Sequence, residues 1–319
     1  MPLSRPLSES VVVVTGASSG LGAAIAGRLA ASGCRLVLAA RGTDTLHQVA
    51  VRCRERGAEV LEVPADVADQ AAVARLAVRA EERFGRVDGW IHNAAVAEYG
   101  PLLDLPIDDI RRVMDVNLFG ALHCAREAVP RMRRHGGVLV FIGSVLAETT
   151  VPFQGAYTIS KHGLAGLAGT LRQEAGSDST VSVCLALPSS LDTPLFRHAG
   201  NLTGRQPRPI PPANPPDRVA GRVVRLLTSP RDRVYLGRAG RTVGWGSRLA
   251  PGLTERVLRQ VGLRQFTPGE RPAPTRGNLS RPSPGPAHVG GGWRLTGLAA
   301  GAVFTAGLAA RTLYRLVRS

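Results

Sequence analysis

Thr15-Gly16-Ala17-Ser18-Ser19-Gly20-Leu21-Gly22 joins the apolar run Val11–Thr15 to a helical pattern over Leu21–Ser32, and this strand-loop-helix junction decides the fold. Glycines at such a junction permit a tight turn, and they let backbone N–H groups at the helix start approach a pyrophosphate closely. Gly16, Ser18, Ser19, Gly20, Leu21 and Gly22 are therefore candidate nucleotide-binding residues.

The same alternation continues downstream. Strand-like Arg35–Ala40, Glu59–Val63 and Gly89–His92 are interleaved with helical Thr43–Arg56 and Asp69–Phe84. A long helix is predicted over Ile107–Arg134, then a strand at Val138–Gly143, a helix near Ala156–Ala175 and a strand at Val181–Leu187. Helix Pro216–Thr228 and a short last strand, Arg233–Leu236, close the series. The strands are continuous apolar runs, as expected for parallel strands covered on both faces. Repeated strand-helix-strand units predict an α/β fold, a doubly wound parallel sheet in a single domain. The second strand ends at Arg41, where an acidic residue would hold a ribose 2′-hydroxyl. A guanidinium there accommodates a 2′-phosphate instead, which favours NADP over NAD.

Composition sharpens the reading. The chain has 319 residues and 40 basic side chains, of which only Lys161 is a lysine. A guanidinium is planar and forked, whereas an ammonium is a compact point charge. A composition that uses arginine for every ordinary positive charge thus nominates Lys161 as chemistry, and it stands four residues after Tyr157. Residues i and i+4 share a helix face, so the phenol and the amine point into one site. The formal net charge of +16 falls entirely in residues 201–319, which carry 20 arginines against Asp217, Asp232, Glu255 and Glu270. Those arginines are scattered among Pro and Gly with few aromatics, so no stacking platform for nucleic acid is evident and no nucleic-acid partner is expected. Cys34, Cys53, Cys124 and Cys184 lack metal or redox spacing and read as reduced structural thiols, which points to a cytoplasmic domain. The histidines show no metal-ligand spacing either, and no metal is expected.

In this order and spacing the motifs resemble the short-chain dehydrogenase/reductase family, over about Val11 to Leu236. Gly16, Gly20 and Gly22 are similar to its cofactor fingerprint, Asp66-Val67 to its adenine-binding pair, and Asn93-Ala94-Ala95 to the motif after its fourth strand. Asn117, Ser144, Tyr157 and Lys161 resemble its catalytic tetrad, with Ser144 13 residues before Tyr157. Pro188–Thr193 resembles the segment that binds the nicotinamide carboxamide through Leu191 and Thr193. Ala95 and Ser189 stand where the family usually has glycine. The resemblance implies a Rossmann-type sheet and an NADP(H)-dependent oxidoreductase acting on CH–OH donors, assembled as a homo-oligomer. It also implies that Asn117, at a helix kink, binds a water linking Lys161 to solvent.

A phenol with a pKa near 10 is a poor base, and nearby positive charge favours its ionised form. Lys161 and an oxidised nicotinamide would supply that charge to Tyr157, while Ser144 would hydrogen-bond the substrate oxygen. Leu191, Leu195, Phe196 and Ile210 suggest an apolar alcohol or carbonyl substrate such as a lipid, steroid, aldehyde or ketone. The alternative is a catalytically weak NADP-binding scaffold or sensor at a membrane surface.

The expected organisation is a catalytic domain over 1–236, a Pro/Gly/Arg-rich extension and linker over 237–292, and an apolar C-terminal helix over 293–319. Within the extension only Leu253–Leu263 reads as helical. Leu295–Ala310 lacks charge, and membrane association or anchoring through this terminal helix is expected.

Overall fold

The computed structural model describes residues 1–176, 179–237 and 240–293. Among the described residues the nine strands are β1 (Val11–Thr15), β2 (Arg35–Ala40), β3 (Val60–Pro64), β4 (Gly89–His92), β5 (Glu98–Tyr99), β6 (Gly137–Ile142), β7 (Val181–Pro188), β8 (Gly200–Asn201) and β9 (Arg233–Leu236). Seven of them form one parallel sheet in the order β3-β2-β1-β4-β6-β7-β9. Val13 of β1 lies beside Val37 of β2 and Trp90 of β4. The chain winds outward in both directions from β1 and β4, so the crevice beyond their carboxyl ends is the natural ligand site of a doubly wound sheet. β5 and β8 form a separate two-stranded ribbon.

The helices are α1 (Gly20–Ala30), α2 (Thr43–Arg54), α3 (Gln70–Phe84), α4 (Ile107–Met114), α5 (Gly120–Arg133), α6 (Gly155–Ala175), α7 (Leu195–His198), α8 (Pro216–Thr228), α9 (Gly240–Leu249) and α10 (Pro251–Leu263). β1 shows why its sequence is apolar at every position. Val12 and Val14 join Ile25, Leu29, Leu46 and Val223, from α1, α2 and α8, in one core. Val11 and Val13 join Leu76, Cys124, Ala128 and Leu164, from α3, α5 and α6, in the other. With a core on each face, neither set of side chains reaches water. This is the Rossmann-type single-domain fold that the strand pattern predicts.

Three departures of the structure from the sequence reading concern its helices. The long helix expected over 107–134 is interrupted by a π turn at Asp115–Phe119, between α4 and α5. Such single turns widen the backbone ladder and are frequent at functional sites. α9 forms where no helix is expected, because Gly240, Gly244 and Gly246 disfavour one. Close packing takes over there: a Cβ at Gly244 would lie 2.5 Å from the Tyr235 ring. The third departure corrects the expected membrane association and anchoring through 293–319. No helix among the described residues is long and apolar enough to cross a membrane, and 294–319 lie outside the described residues. Trp293, the first residue of that segment, is instead buried against the loop after β7, where its Nε1 donates to Thr193 O at 3.2 Å.

Candidate active site

The loop between β1 and α1 is shaped by its glycines. Gly16 has φ +65°, and a Cβ there would lie 2.7 Å from Ala94 Cα. A Cβ at Gly22 would sit 2.1 Å from Gly16 O, so the first turn of α1 can tuck under the loop only without a side chain. Asn93, just past β4, steadies the turn by donating from Nδ2 to Gly16 O at 3.0 Å. Thr15 Oγ1 accepts from the Asn93 and Ala94 backbone N–H groups at 3.2 and 3.3 Å.

Above the carboxyl ends of the strands lies a cavity of about 340 Å³. One end is walled by Gly16, Ser18, Ser19, Gly20, Leu21, Arg41, Asp66, Val67 and Asn93, the middle by Leu191 and Thr193, and the other end by Ser144, Tyr157 and Lys161. Two of the residues singled out from the sequence do not line it. Gly22 is buried beneath the loop it shapes, and Asn117 is buried behind the cavity in the π turn. The Asn117 carboxamide is committed to neighbours. Its Oδ1 accepts from Val96 N at 2.9 Å, and its Nδ2 is 2.9 Å from both Val96 O and Ser160 Oγ.

Tyr157 and Lys161 stand one turn apart on α6, with the Lys161 ammonium 5.4 Å from the centre of the Tyr157 ring. Lys161 Nζ donates to Ile142 O at 2.9 Å, which pins it to the end of β6. Ser144 caps the short 3-10 turn after β6, its Oγ accepting from Leu146 N at 3.1 Å. Burial pushes the Tyr157 phenol up to about 12, opposed by its hydrogen bond with Ser144. Burial pushes the Lys161 ammonium down to about 7. Desolvation thus acts on both groups, disfavouring the charged form of each.

At the end of the cavity walled by the glycine loop, Arg41 does not project freely. Its two terminal nitrogens donate to Leu279 O at 2.8 Å and Asn278 O at 2.5 Å. Asp66 accepts from Ala68 N at 3.0 Å and pairs with Arg112. The residues beyond Ser144 and Tyr157 are apolar: Tyr99, Leu146, Val151, Leu195, Phe196, Ile210, Val243 of α9 and Leu258 of α10 line that end. Thr149 and Gln154 are its buried polar members, with Gln154 Nε2 held 2.6 Å from Gln265 Oε1. Sequence reasoning misses Thr149, Gln154, Val243 and Leu258, since no motif or period marks them. Pro282, Ser283, Pro284 and Pro286, read from the sequence as part of a linker, line the cavity as well.

Residues 10–201 match the model of the short chain dehydrogenase family. The chain is 32% identical to an uncharacterized oxidoreductase, YxnA, of Bacillus subtilis over 276 residues, covering 85% of this chain and 77% of the relative. It is 38% identical to 1-deoxy-11-beta-hydroxypentalenate dehydrogenase of Streptomyces avermitilis over 196 residues, 60% of this chain and 72% of that protein. Among solved structures it superposes on a short chain dehydrogenase of Burkholderia cenocepacia in complex with NADP, with a TM-score of 0.68 and 25% identity, covering 80% of this chain and 99% of the other. A Burkholderia phymatum short chain dehydrogenase/reductase in complex with NAD gives a TM-score of 0.67 and 27% identity, covering 77% and 95%.

Proposed function

The chain belongs to the short-chain dehydrogenase family of NAD(P)(H)-dependent oxidoreductases, and on that premise we propose that it reduces or oxidises an apolar carbonyl/alcohol pair using NADP(H). The observation that carries this reading is the convergence of Ser144, Tyr157 and Lys161 on the same cavity as the glycine loop and Arg41. The glycine loop fits a dinucleotide, because Gly16, Ser18, Ser19 and Gly20 line the cavity at the N-terminus of α1, where phosphate oxygens can approach backbone N–H groups. Gly16, Ser18, Ser19, Gly20 and Leu21 would hold the pyrophosphate, and Asp66, Val67 and Asn93 the adenosine side. Leu191 and Thr193 would hold the carboxamide. Related proteins are bound to NAD as well as NADP, and Arg41 is the feature that favours the 2′-phosphate here.

When bound, the nicotinamide supplies the hydride and, once oxidised, a positive charge beside the phenol. The protein's part is proton handling and orientation. The Tyr157 hydroxyl donates to the substrate oxygen as a carbonyl becomes an alkoxide, and takes the proton back in the oxidative direction. Ser144 donates a second hydrogen bond to that oxygen, and the same hydroxyl opposes the rise that burial imposes on Tyr157. Lys161, anchored to Ile142 O, is a positive charge held at fixed distance from the phenol. Asn117 holds Val96, on the cavity wall, and Ser160, next to Lys161 on α6, in register. The apolar end walled by Leu146, Phe196, Val243 and Leu258 suits a hydrophobic substrate body. The 1-deoxy-11-beta-hydroxypentalenate dehydrogenase relative is consistent with that substrate class.

The test is oxidation of NADPH, and separately of NADH, with a panel of cyclic and aliphatic ketones and aldehydes, comparing wild type with Tyr157→Phe. NADPH-dependent turnover rising with substrate hydrophobicity and lost in the variant is expected. Equal turnover by the two proteins refutes the proton-transfer role, and preference for polar substrates refutes the substrate class.

A further inference from the structure

The Pro/Gly-rich stretch after α10 has no regular structure, yet it runs along the glycine-loop side of the cavity, from Arg41 to Asp192, and is fixed at both of its own ends. Its near end is latched by Arg276, which pairs with the buried Asp109 carboxylate. Gly277 follows with φ +51°, and a Cβ there would lie 2.3 Å from His198 O, so the turn is packed without room for a side chain. Asn278 N donates to His198 O at 2.7 Å, and Leu279 is fully buried in the core. At the far end the Asp192 carboxylate accepts from the Gly291 and Trp293 backbone N–H groups, both at 3.0 Å, and Trp293 packs edge-on to Phe196.

Between these anchors the stretch takes hydrogen-bond donors that an anionic ligand of the cavity would need. Gly20 N, at the start of α1, donates to His288 O at 2.8 Å. The first N–H groups of a helix have no partner within it and are the usual seat of a phosphate. Arg41, the guanidinium placed for a 2′-phosphate, gives its two terminal nitrogens to the carbonyls of Asn278 and Leu279. Three neutral carbonyl oxygens thus stand at both anion-binding points of the site. Carbonyls can do this from any sequence, since even a proline keeps its acceptor.

We propose that residues 276–293 are an autoinhibitory strap: docked, they hold the Gly20 N–H and the Arg41 guanidinium against the protein's own backbone, and a dinucleotide binds only when they lift. The proposal rests on reading the cavity as a dinucleotide site. A protein whose competent state is a minor population binds with an affinity reduced by that fraction, and its association rate levels off at the opening rate.

Stopped-flow fluorescence of NADPH binding to the full-length protein tests this, with wild type compared with Arg276→Ala and Trp293→Ala. Neither residue lines the cavity, and each latches one end of the strap. Faster amide hydrogen exchange at Asn278 and Gly291 in the variants verifies that the strap has loosened. Wild type is expected to give an observed rate that saturates with NADPH concentration. The loosened variants are expected to bind faster and about tenfold or more tighter. A linear concentration dependence with unchanged affinity in loosened variants overturns the proposal. Weaker binding by those variants also overturns it, because the strap would then be a clamp over bound cofactor. If neither NADPH nor NADH binds wild type or the loosened variants, the dinucleotide reading itself fails, which separates that failure from failure of the strap.

Discussion

Asn117→Ala distinguishes a structural carboxamide from a proton relay. The side chain satisfies both polar groups of the Val96 backbone and also reaches Ser160 Oγ, and the residue is fully buried. Truncation to a methyl group orphans the Val96 N–H and C=O together, and an unsatisfied buried polar group costs about 1–3 kcal/mol. The two together imply a loss of roughly 2–6 kcal/mol, before any contribution from the small void left behind. Ser160 retains its own bond to Tyr157 O at 2.7 Å, so it adds little. With a urea m-value of about 3 kcal/mol/M, the upper end of the usual range as suits a chain of this size, the unfolding midpoint should fall by roughly 0.7–2 M. The assay is equilibrium urea denaturation followed by circular dichroism, with kcat measured on the same preparations well below the midpoint. A midpoint within a few tenths of a molar unit of wild type, combined with a collapse of kcat, would refute the reasoning. It would mean that Asn117 serves proton movement and that water replaces its bonds to Val96.

Two further outcomes follow from the same geometry. Arg41→Ala should raise the ratio of KM for NADPH to KM for NADH by about tenfold or more, whatever it does to the strap both cofactors must displace, since a charge-assisted contact to a 2′-phosphate is worth about 1.5–3 kcal/mol; an unchanged ratio would remove Arg41 from phosphate recognition. Glu98, fully buried on β5, is pushed up from 4.5 to about 7 by burial and then by the adjacent Asp109 carboxylate, with Arg276 opposing. Because the folded pKa lies above the unfolded one, its contribution to stability is fully present below pH 4.5 and is lost as pH rises through about 7. Glu98→Gln should flatten the pH dependence of the unfolding midpoint between pH 4.5 and 7, and a slope equal to that of wild type would show that another group titrates there.

What could be seen in the sequence was what covalent spacing encodes. The glycine loop fits because strand, turn and helix follow one another without interruption. Tyr157 and Lys161 meet because one helical turn separates them, and Ser144 reaches them from the end of the neighbouring strand. The apolar runs of β1 and β6 were legible because both faces of the sheet are covered. The π turn at Asp115–Phe119 was not legible in the composition, since nothing in Asp115-Val116-Asn117-Leu118-Phe119 departs from an ordinary helix, and only the family resemblance implied a kink at Asn117. Nor was the desolvation of Tyr157 and Lys161: residue types and spacing show a phenol and an amine one turn apart, but their desolvation depends on what packs around them.

The Pro/Gly/Arg-rich composition after α10 looks like that of a solvated connector, yet residues 276–293 are held at many points. The resolution lies in which partner contributes the specificity. A segment rich in proline has few N–H donors and cannot build its own ladder, but it keeps every carbonyl. Arginine is the side chain best suited to such acceptors, with five donors in a rigid fork. Arg41 and Arg112 both donate to Leu279 O, and Arg52 donates to Ala287 O at 3.0 Å, all from helices or strand ends of the sheet domain. The recognition code for the segment is thus written in the domain it lies on. The bias that leaves a single lysine in the chain supplies forks wherever a backbone must be grasped, and it leaves an ammonium only at position 161. There, 2% exposed beside the phenol, a slender amine fits that can titrate near neutrality, as a guanidinium cannot.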